Sequence, residues 1–532
     1  MAIRIPAHCC WPPPSSDLRT DGTTPAAMRH GLDPSTLSLY QNAVLGFIYA
    51  YLPKPPVSAA PILSCAAAAA AEEDGGIDRI SGLPDDLLSR ILVRLPAKDG
   101  ARTAVLSTRW RGLWLSSPLC LVDTHFLPRG GAEGRPPRPG AVTRAVRRAV
   151  SAALRSHTGP FPFVSLSCQF IEAVDADRAV LARWFRFLAT KGVDELAFVN
   201  RPSPYEGLRL PAALFSCASL RRLYLGAWRF VDTATLPRGA SFPRLQELVL
   251  GAIALEDRDL DFLLAASPVL EVLTIVGSVK KLRARLTSHS LRCACAQFCL
   301  ALVEEVALVD CQSLERCFIW RCPSQRYRVK IGHAPQLSTL GYLEPGVQVL
   351  EIGNTVIEPG TKPSPKTTVP SVQMLALNLH FGVHDEVKML PSFLKCFPNV
   401  ETLCIQSERT KEATSNLNLK FWQEAGPIKC VQSRLKTLAF RDFHGDESEF
   451  AFLMFIAENA EALEKMNIVI ELPKLSKPEE LASKMMALDS ARWASGSNKA
   501  GYKFARLGEG GGSIWNLKLA FDFNCSDPFL CL

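Results

Sequence analysis

At 532 residues the chain exceeds what one hydrophobic core organises, so two or three domains are expected. Its 48% apolar content fits a globular protein, and it lacks any unbroken apolar run of about 18 residues that could cross a membrane. A net charge of +8 is too dilute over this length to argue for a nucleic-acid partner.

Residues 1–76 are rich in Pro, Ser and Ala, with "WPPPSS", "LPKPPVS" and an alanine run from Ala66 to Ala71. This composition predicts a disordered amino-terminal extension. Few acids leave a transit peptide open as an alternative, whereas the order of regions that marks a secretory signal is missing. The apolar stretch Leu37 to Leu52 carries Gln41 and Asn42 and is short for a membrane span.

Residues 77–122 read as a small helical unit. Pro84 suits a first helical turn, and Asp85 and Asp86 suit the positive end of the helix dipole. Leu87, Leu88, Ile91, Leu92 and Leu95 make one wide apolar face, which Pro96 ends. A second helix is expected from Lys98 or Asp99. Beyond it Trp110 and Trp114 lie one turn apart, with Leu113 beside them. A unit this small buries little surface alone, so its apolar face either packs on the rest of the chain as a cap or docks another helical protein.

A Gly/Pro/Arg linker is expected over 128–140 and a basic amphipathic helix after it, with Val142, Val146, Val150 and Ala153 on its apolar side. Residues 141–428 then carry a repeat of the form L-x-x-L-x-L. Copies begin at 193, 220, 245, 270, 314, 337, 372, 400, 435 and 463, the last two falling within 429–525. The first steps, 27, 25 and 25 residues, fit the period of about 20–29 residues of leucine-rich repeats, and the 44-residue step after 270 implies an insertion or an unrecognised copy. The last three positions of each copy predict a strand with leucines inward and the intervening residues outward. One copy cannot cover its own apolar face, so copies must stack, as an irregular α/β solenoid of horseshoe type. "DRDLDFLLAASPVL" supplies a connecting helix, stopped by Pro268.

The outward positions expected to meet a target are Arg222, Tyr224, Glu247, Thr274, Thr402 and Lys465. Glu195, Val249, Val272, Thr339, Met374 and Thr437 occupy the same row type. They form no stripe of one sign, which favours a protein partner over a polyanion.

Chemistry-bearing motifs are scarce. The 17 cysteines are scattered and read as reduced, buried thiols. The densest set, Cys293, Cys295, Cys299, Cys311, Cys317 and Cys322, lacks the paired spacing of a zinc site. "GEGGGS" (508–513) precedes "IWNLKLAFDF", which alternates like a strand, so a hairpin turn is expected there instead of a phosphate loop. His380 and His384 could suggest a metal pair, but Gly382 between them argues for a turn. No catalytic residue, cofactor site or metal site is expected.

"LPDDLLSRILVRLPAKDGARTAVLSTRWRGLW" resembles the F-box of plants, departing mildly at Gly100, where an apolar residue is usual. "CVQSRLKTLAFRDFHGDESEFAFLMFIAENAEALEKMNIVI" (430–470) resembles the FBD domain, assigned to the region 429–525, which continues the repeats. In this order the three parts resemble a plant F-box/LRR/FBD protein. The repeats depart from the pattern in lacking the asparagine after the strand: position 228 is Trp and 253 is Ile.

The resemblance implies the substrate receptor of a Skp-cullin-F-box ubiquitin ligase, non-catalytic and nuclear or cytoplasmic. The F-box would bind a Skp-type adaptor and through it a cullin, and the repeats would hold an unknown target protein. Adaptor contacts carried over by position are Leu83, Pro84, Leu87, Ile91, Leu92, Leu95, Val105, Leu106, Trp110 and Leu113. A repeat scaffold not coupled to a ligase is the alternative.

Overall fold

Every one of the ten L-x-x-L-x-L copies folds as a strand, and within each unit the strands of the main ladder pair in parallel. These relations come from a computed structural model that describes residues 45–57, 80–127, 139–171, 175–201, 208–298, 303–321, 326–408, 418–471, 478–505 and 517–529, apart from 47, 81, 170, 279 and 498. The described residues fall in two units: those up to 255 together with 265–270, and those of 256–264 and from 271 onward.

The amino-terminal unit carries a parallel sheet of β1 (Leu121–Val122), β2 (Phe163–Leu166), β3 (Glu195–Val199), β4 (Arg222–Gly226) and β5 (Glu247–Ile253), in chain order. Leu196, Leu223 and Leu248 stand in one inward row and are fully buried. The helix Pro139–Ser156 buries Val146, Val150 and Leu154 and leaves Arg144, Arg148 and Arg155 exposed; Arg147 pairs with the buried Asp177. Where an asparagine was missing from the repeat, the chain turns through left-handed alanines instead: Ala227 has φ 58° and Ala252 φ 48°.

The carboxy-terminal unit has two sheets. Its strands are β6 (Val272–Ser278), β7 (Leu282–Thr287), β8 (Cys293–Phe298), β9 (Val303–Asp310), β10 (Arg316–Arg321), β11 (Arg328–His333), β12 (Thr339–Leu343), β13 (Val349–Ile352), β14 (Thr355–Val356), β15 (Met374–Leu379), β16 (Thr402–Ser407), β17 (Thr437–Phe443), β18 (Lys465–Glu471) and β19 (Ala500–Ala505). The main ladder runs β6-β8-β10-β12-β15-β16-β17-β18-β19, and the second sheet β14-β13-β11-β9-β7. From β6 to β13 the chain gives each sheet a strand in turn. The long step after 270 therefore holds an unrecognised copy, "LRCACA" at 291, in which Ala294 and Ala296 replace the usual leucines. Helices return as connections further on, at His384–Cys396 and Glu447–Asn459.

Two expectations change. Within 1–76, described residues 45, 46 and 48–51 are helical, and Leu45, Ile48, Tyr49 and Leu52 are buried; the rest of that call, apart from 53–57, lies outside the described residues. The strand expected over "IWNLKLAFDF" is instead a short helix, Leu517–Phe521. Its backbone carbonyls are drawn to an arginine, described below, and no strand ladder uses them. Residues 508–513, Cys299, Cys322 and most of the linker (128–138) lie outside the described residues.

Candidate functional site

The helical unit begins at Asp85, directly after Pro84. Its first helix ends at Arg94 because Leu95, preceding Pro96, is held extended. Two further helices follow, Ala97–Thr103 and Thr108–Ser116, the last capped by the Ser107 hydroxyl on the Trp110 amide. Arg109 clamps it to the first helix, donating to Asp85 (2.6 Å) and to the Leu83 carbonyl (2.7 Å). Inside lie Leu88, Leu92, Trp110 and Leu113, with Leu83 and Leu95 half-buried against them.

That core divides the ten expected adaptor contacts. Leu92, Trp110 and Leu113 face inward, correcting the expectation that they belong to an accessible face; a side chain at 1% exposure, as Leu92 is, reaches no partner without repacking. Pro84, Leu87 and Ile91 lie outward on one side of the first helix, and Val105 and Leu106 lie outward in the turn before the third. Val105 is 82% and Leu106 66% exposed, which no apolar side chain prefers in water.

Trp114 serves the opposite side. Its ring meets His157 edge-on at 5.2 Å between centroids, and His157 in turn donates from Nε2 to the Ser117 carbonyl (2.8 Å). Burial holds His157 below its ordinary range, which suits a neutral ring in this role. Gly100 now has a physical reason: a Cβ there would come within 2.6 Å of the Trp114 ring. The unit is thus seated through Trp114 and leaves its other apolar groups outward.

On the repeats, positions 3 and 5 of each L-x-x-L-x-L form a variable face. In the amino-terminal unit Glu195, Arg222 and Glu247 are register neighbours. Arg222 lies 3.2 Å from Glu195 and 3.6 Å from Glu247, and the Tyr224 hydroxyl donates to Glu247 at 2.7 Å. Burial raises the Glu195 carboxyl, with Arg222 opposing it. Tyr224 is buried and committed to this network, so only Arg222 keeps a large outward surface. The same face holds residue Ile48 of the amino-terminal helix: Cβ atoms at Gly226 and Gly251 would come within 2.7 and 2.9 Å of it. The Tyr49 hydroxyl donates to the Ser167 carbonyl (2.7 Å) and accepts from Arg201 Nε (2.5 Å).

In the carboxy-terminal unit position 3 runs Val272, Cys293, Arg316, Thr339, Met374, Thr402, Thr437, Lys465. Thr402 and Lys465, both expected, come together in one polar cavity of about 350 Å³ whose other walls include Glu401, Ser526 and Asp527. Thr274 does not reach a surface: it is 1% exposed, packed in the ladder beside Cys295, a correction to its expected target role. Cys293, Cys295, Cys311 and Cys317 are buried in or beside strands, and burial pushes the Cys311 thiol up to about 11.

His380 is the other surprise. Its Nδ1 sits 3.0 Å from Glu386 and its Nε2 3.2 Å from Glu408. Hydrogen bonding to Glu386 first, then Glu408, raises it to about 10. A doubly protonated ring between two carboxylates has no lone pair for a metal. A sister arrangement holds His444 at 3.2 Å from the buried Glu449, which caps its helix by accepting from the amides of 444, 445 and 446.

Comparison with known proteins matches three stretches of the chain. The F-box domain family matches residues 80–121, the leucine-rich repeats described for "FBD-associated F-box protein At5g56370" match 181–405, and the FBD family matches 423–468. Three relatives come from Arabidopsis thaliana. "F-box/LRR-repeat protein 13" is 25% identical over 74% of this chain and 90% of its own length. "FBD-associated F-box protein At5g60610" is 26% identical over 74% of this chain and 100% of its own. "F-box/FBD/LRR-repeat protein At1g13570" is 29% identical over 37% of this chain and 44% of its own.

Proposed function

Because the chain is one of the F-box proteins that carry leucine-rich repeats and an FBD region, we propose that it is the substrate receptor of a Skp-cullin-F-box ubiquitin ligase. The observation that carries this reading is the outward apolar set Pro84, Leu87, Ile91, Val105 and Leu106 on a unit whose own core is already complete. A Skp-type adaptor supplies the missing cover, and the adaptor links to a cullin. Leu92, Trp110 and Leu113 then act on docking through the shape of the unit.

The repeats, 141–428, form an irregular horseshoe solenoid that holds a target protein, with 429–525 continuing it and 77–122 as the F-box. Arg222, Glu247, Thr402 and Lys465 are the target-facing residues of this reading. The mechanism is proximity: a tethered target meets the ubiquitin-charged enzyme at high effective concentration, and no residue of this chain performs chemistry or needs a cofactor. The protein works in the nucleus or cytoplasm, without nucleic acid or membrane as a partner.

Co-purification with a Skp-type adaptor tests the reading. Capture by the wild-type chain and its loss in Ile91→Asp with Leu106→Asp, at unchanged folding, is the expected result. A folded chain that never captures an adaptor overturns it, in favour of a repeat scaffold whose helical unit is held by Trp114 only as a cap.

A further inference from the structure

Residues 517–529 lie on the variable face of the carboxy-terminal unit, and the way they are held describes a recognition site. Position 5 of this ladder is mostly small: Thr274, Cys295, Gly341, Ala376, Cys404 and Ala439. Phe318 is the large exception. Phe529 fills the slot above Gly341, where a Cβ would come within 2.6 Å of its ring, and it meets Phe318 and Tyr342 edge-on at 5.6 and 5.5 Å.

Two arginines of the ladder hold the backbone of the same segment. Arg316 donates from Nη1 to the carbonyls of Leu519 (3.4 Å), Ala520 (3.2 Å) and Asp522 (3.0 Å), and from Nη2 to that of Cys525 (2.8 Å). Arg441 donates to the Phe529 carbonyl. Phe523 lies under Arg292, 3.8 Å from guanidinium carbon to ring centroid.

These contacts are of two kinds. Guanidinium-to-carbonyl bonds read any backbone that presents its carbonyls, because they touch no side chain of the segment. The slot over Gly341 reads an aromatic ring, because its walls are two rings and a missing side chain.

We propose that this face is a peptide-binding site for a partner protein's segment that presents backbone carbonyls followed by an aromatic anchor, and that residues 517–529 are its resident occupant, which a target must displace. The proposal rests on reading the variable face as the target surface. As part of the same chain, the resident competes intramolecularly, so only a segment with a better anchor or more contacts displaces it.

The test uses the full chain and a fluorescent synthetic peptide of residues 517–532. Phe529→Ala empties the slot while leaving its walls intact. The expected results are faster hydrogen exchange at the amides of 519–529 and peptide binding at least about tenfold tighter than to the wild-type chain. Adding Gly341→Leu to Phe529→Ala should abolish that binding, as should removing the ring from the peptide. Phe529→Leu, a milder change, serves if Phe529→Ala does not fold, with the same direction and a smaller change. Equal binding to both chains, or none to a folded variant with the amides of 519–529 still exchanging only on global unfolding, overturns the proposal. Adaptor capture by the same samples is a separate readout: its failure removes the ligase reading and leaves the peptide result standing.

Discussion

The helical unit and the repeat ladder solve opposite problems with the same kind of material. In the helical unit the core is closed by Leu88, Leu92, Trp110 and Leu113, while Pro84, Leu87, Ile91, Val105 and Leu106 are among the apolar residues that remain outward. In the carboxy-terminal ladder two nearly buried arginines and a ring slot, groups that could also have faced water, are covered by the chain's own segment. The difference teaches where a partner is required. An apolar patch left open within a chain is satisfied from outside, while a face already occupied has to be vacated first.

The largest break in this comparison comes from the core. Leu88→Ala or Leu92→Ala should destabilise the helical unit by about 2–5 kcal/mol, read as a lower midpoint in urea unfolding. Leu106→Ala, by contrast, should stay within about 0.5 kcal/mol while weakening adaptor capture. If both classes of variant shift the midpoint equally, the division between core and docking face is wrong.

Next in size is Gly100→Leu. The added side chain meets the Trp114 ring and should cost about 1–3 kcal/mol by overpacking, and Trp114 fluorescence should report the displaced ring. An unperturbed spectrum at full stability would mean that Gly100 does not seat the unit.

The ladder contributes a pH dependence through His380. His380 has a folded-state pKa raised to about 10, so its pairing with Glu386 and Glu408 stabilises fully below its ordinary value of about 6.5 and is lost as pH rises through about 10. His380→Gln should therefore cost about 1 kcal/mol near pH 6, after allowance for solvent screening, and the gap to wild type should close towards pH 10. A gap that widens with pH would contradict the assignment.

The smallest effect is expected at the left-handed alanines. Ala252→Gly relieves a backbone that disfavours a Cβ, and by up to about 1 kcal/mol this offsets the entropy glycine adds to the unfolded chain. A loss above 1 kcal/mol would show that the Ala252 methyl packs usefully, since it is buried.

Much of the ladder was legible because L-x-x-L-x-L fixes both strand and face. It failed where the leucines were replaced, as at Leu291, Ala294 and Ala296, and where charged alternation such as "RVKIGH" hid the second sheet in what looked like spacer. The helical unit was legible as a unit, but not its division. Leu87 and Leu88, like Ile91 and Leu92, are adjacent on one wide apolar face, and which of each pair turns inward depends on where Trp110 and Leu113 pack. The pairings of Arg316 with Ala520 and of Phe318 with Phe529 were invisible because each spans over two hundred residues, and the arginine's bonds run to backbone carbonyls, which carry no sequence signal.

Adaptor capture by chains altered only at the outward set tests the docking face most directly. With Ile91→Asp and Leu106→Asp together, retaining the wild-type unfolding midpoint within about 0.5 kcal/mol, affinity for a Skp-type adaptor should fall by at least about tenfold. An unchanged affinity in that folded double variant would contradict the claim that these exposed apolar residues are the docking face.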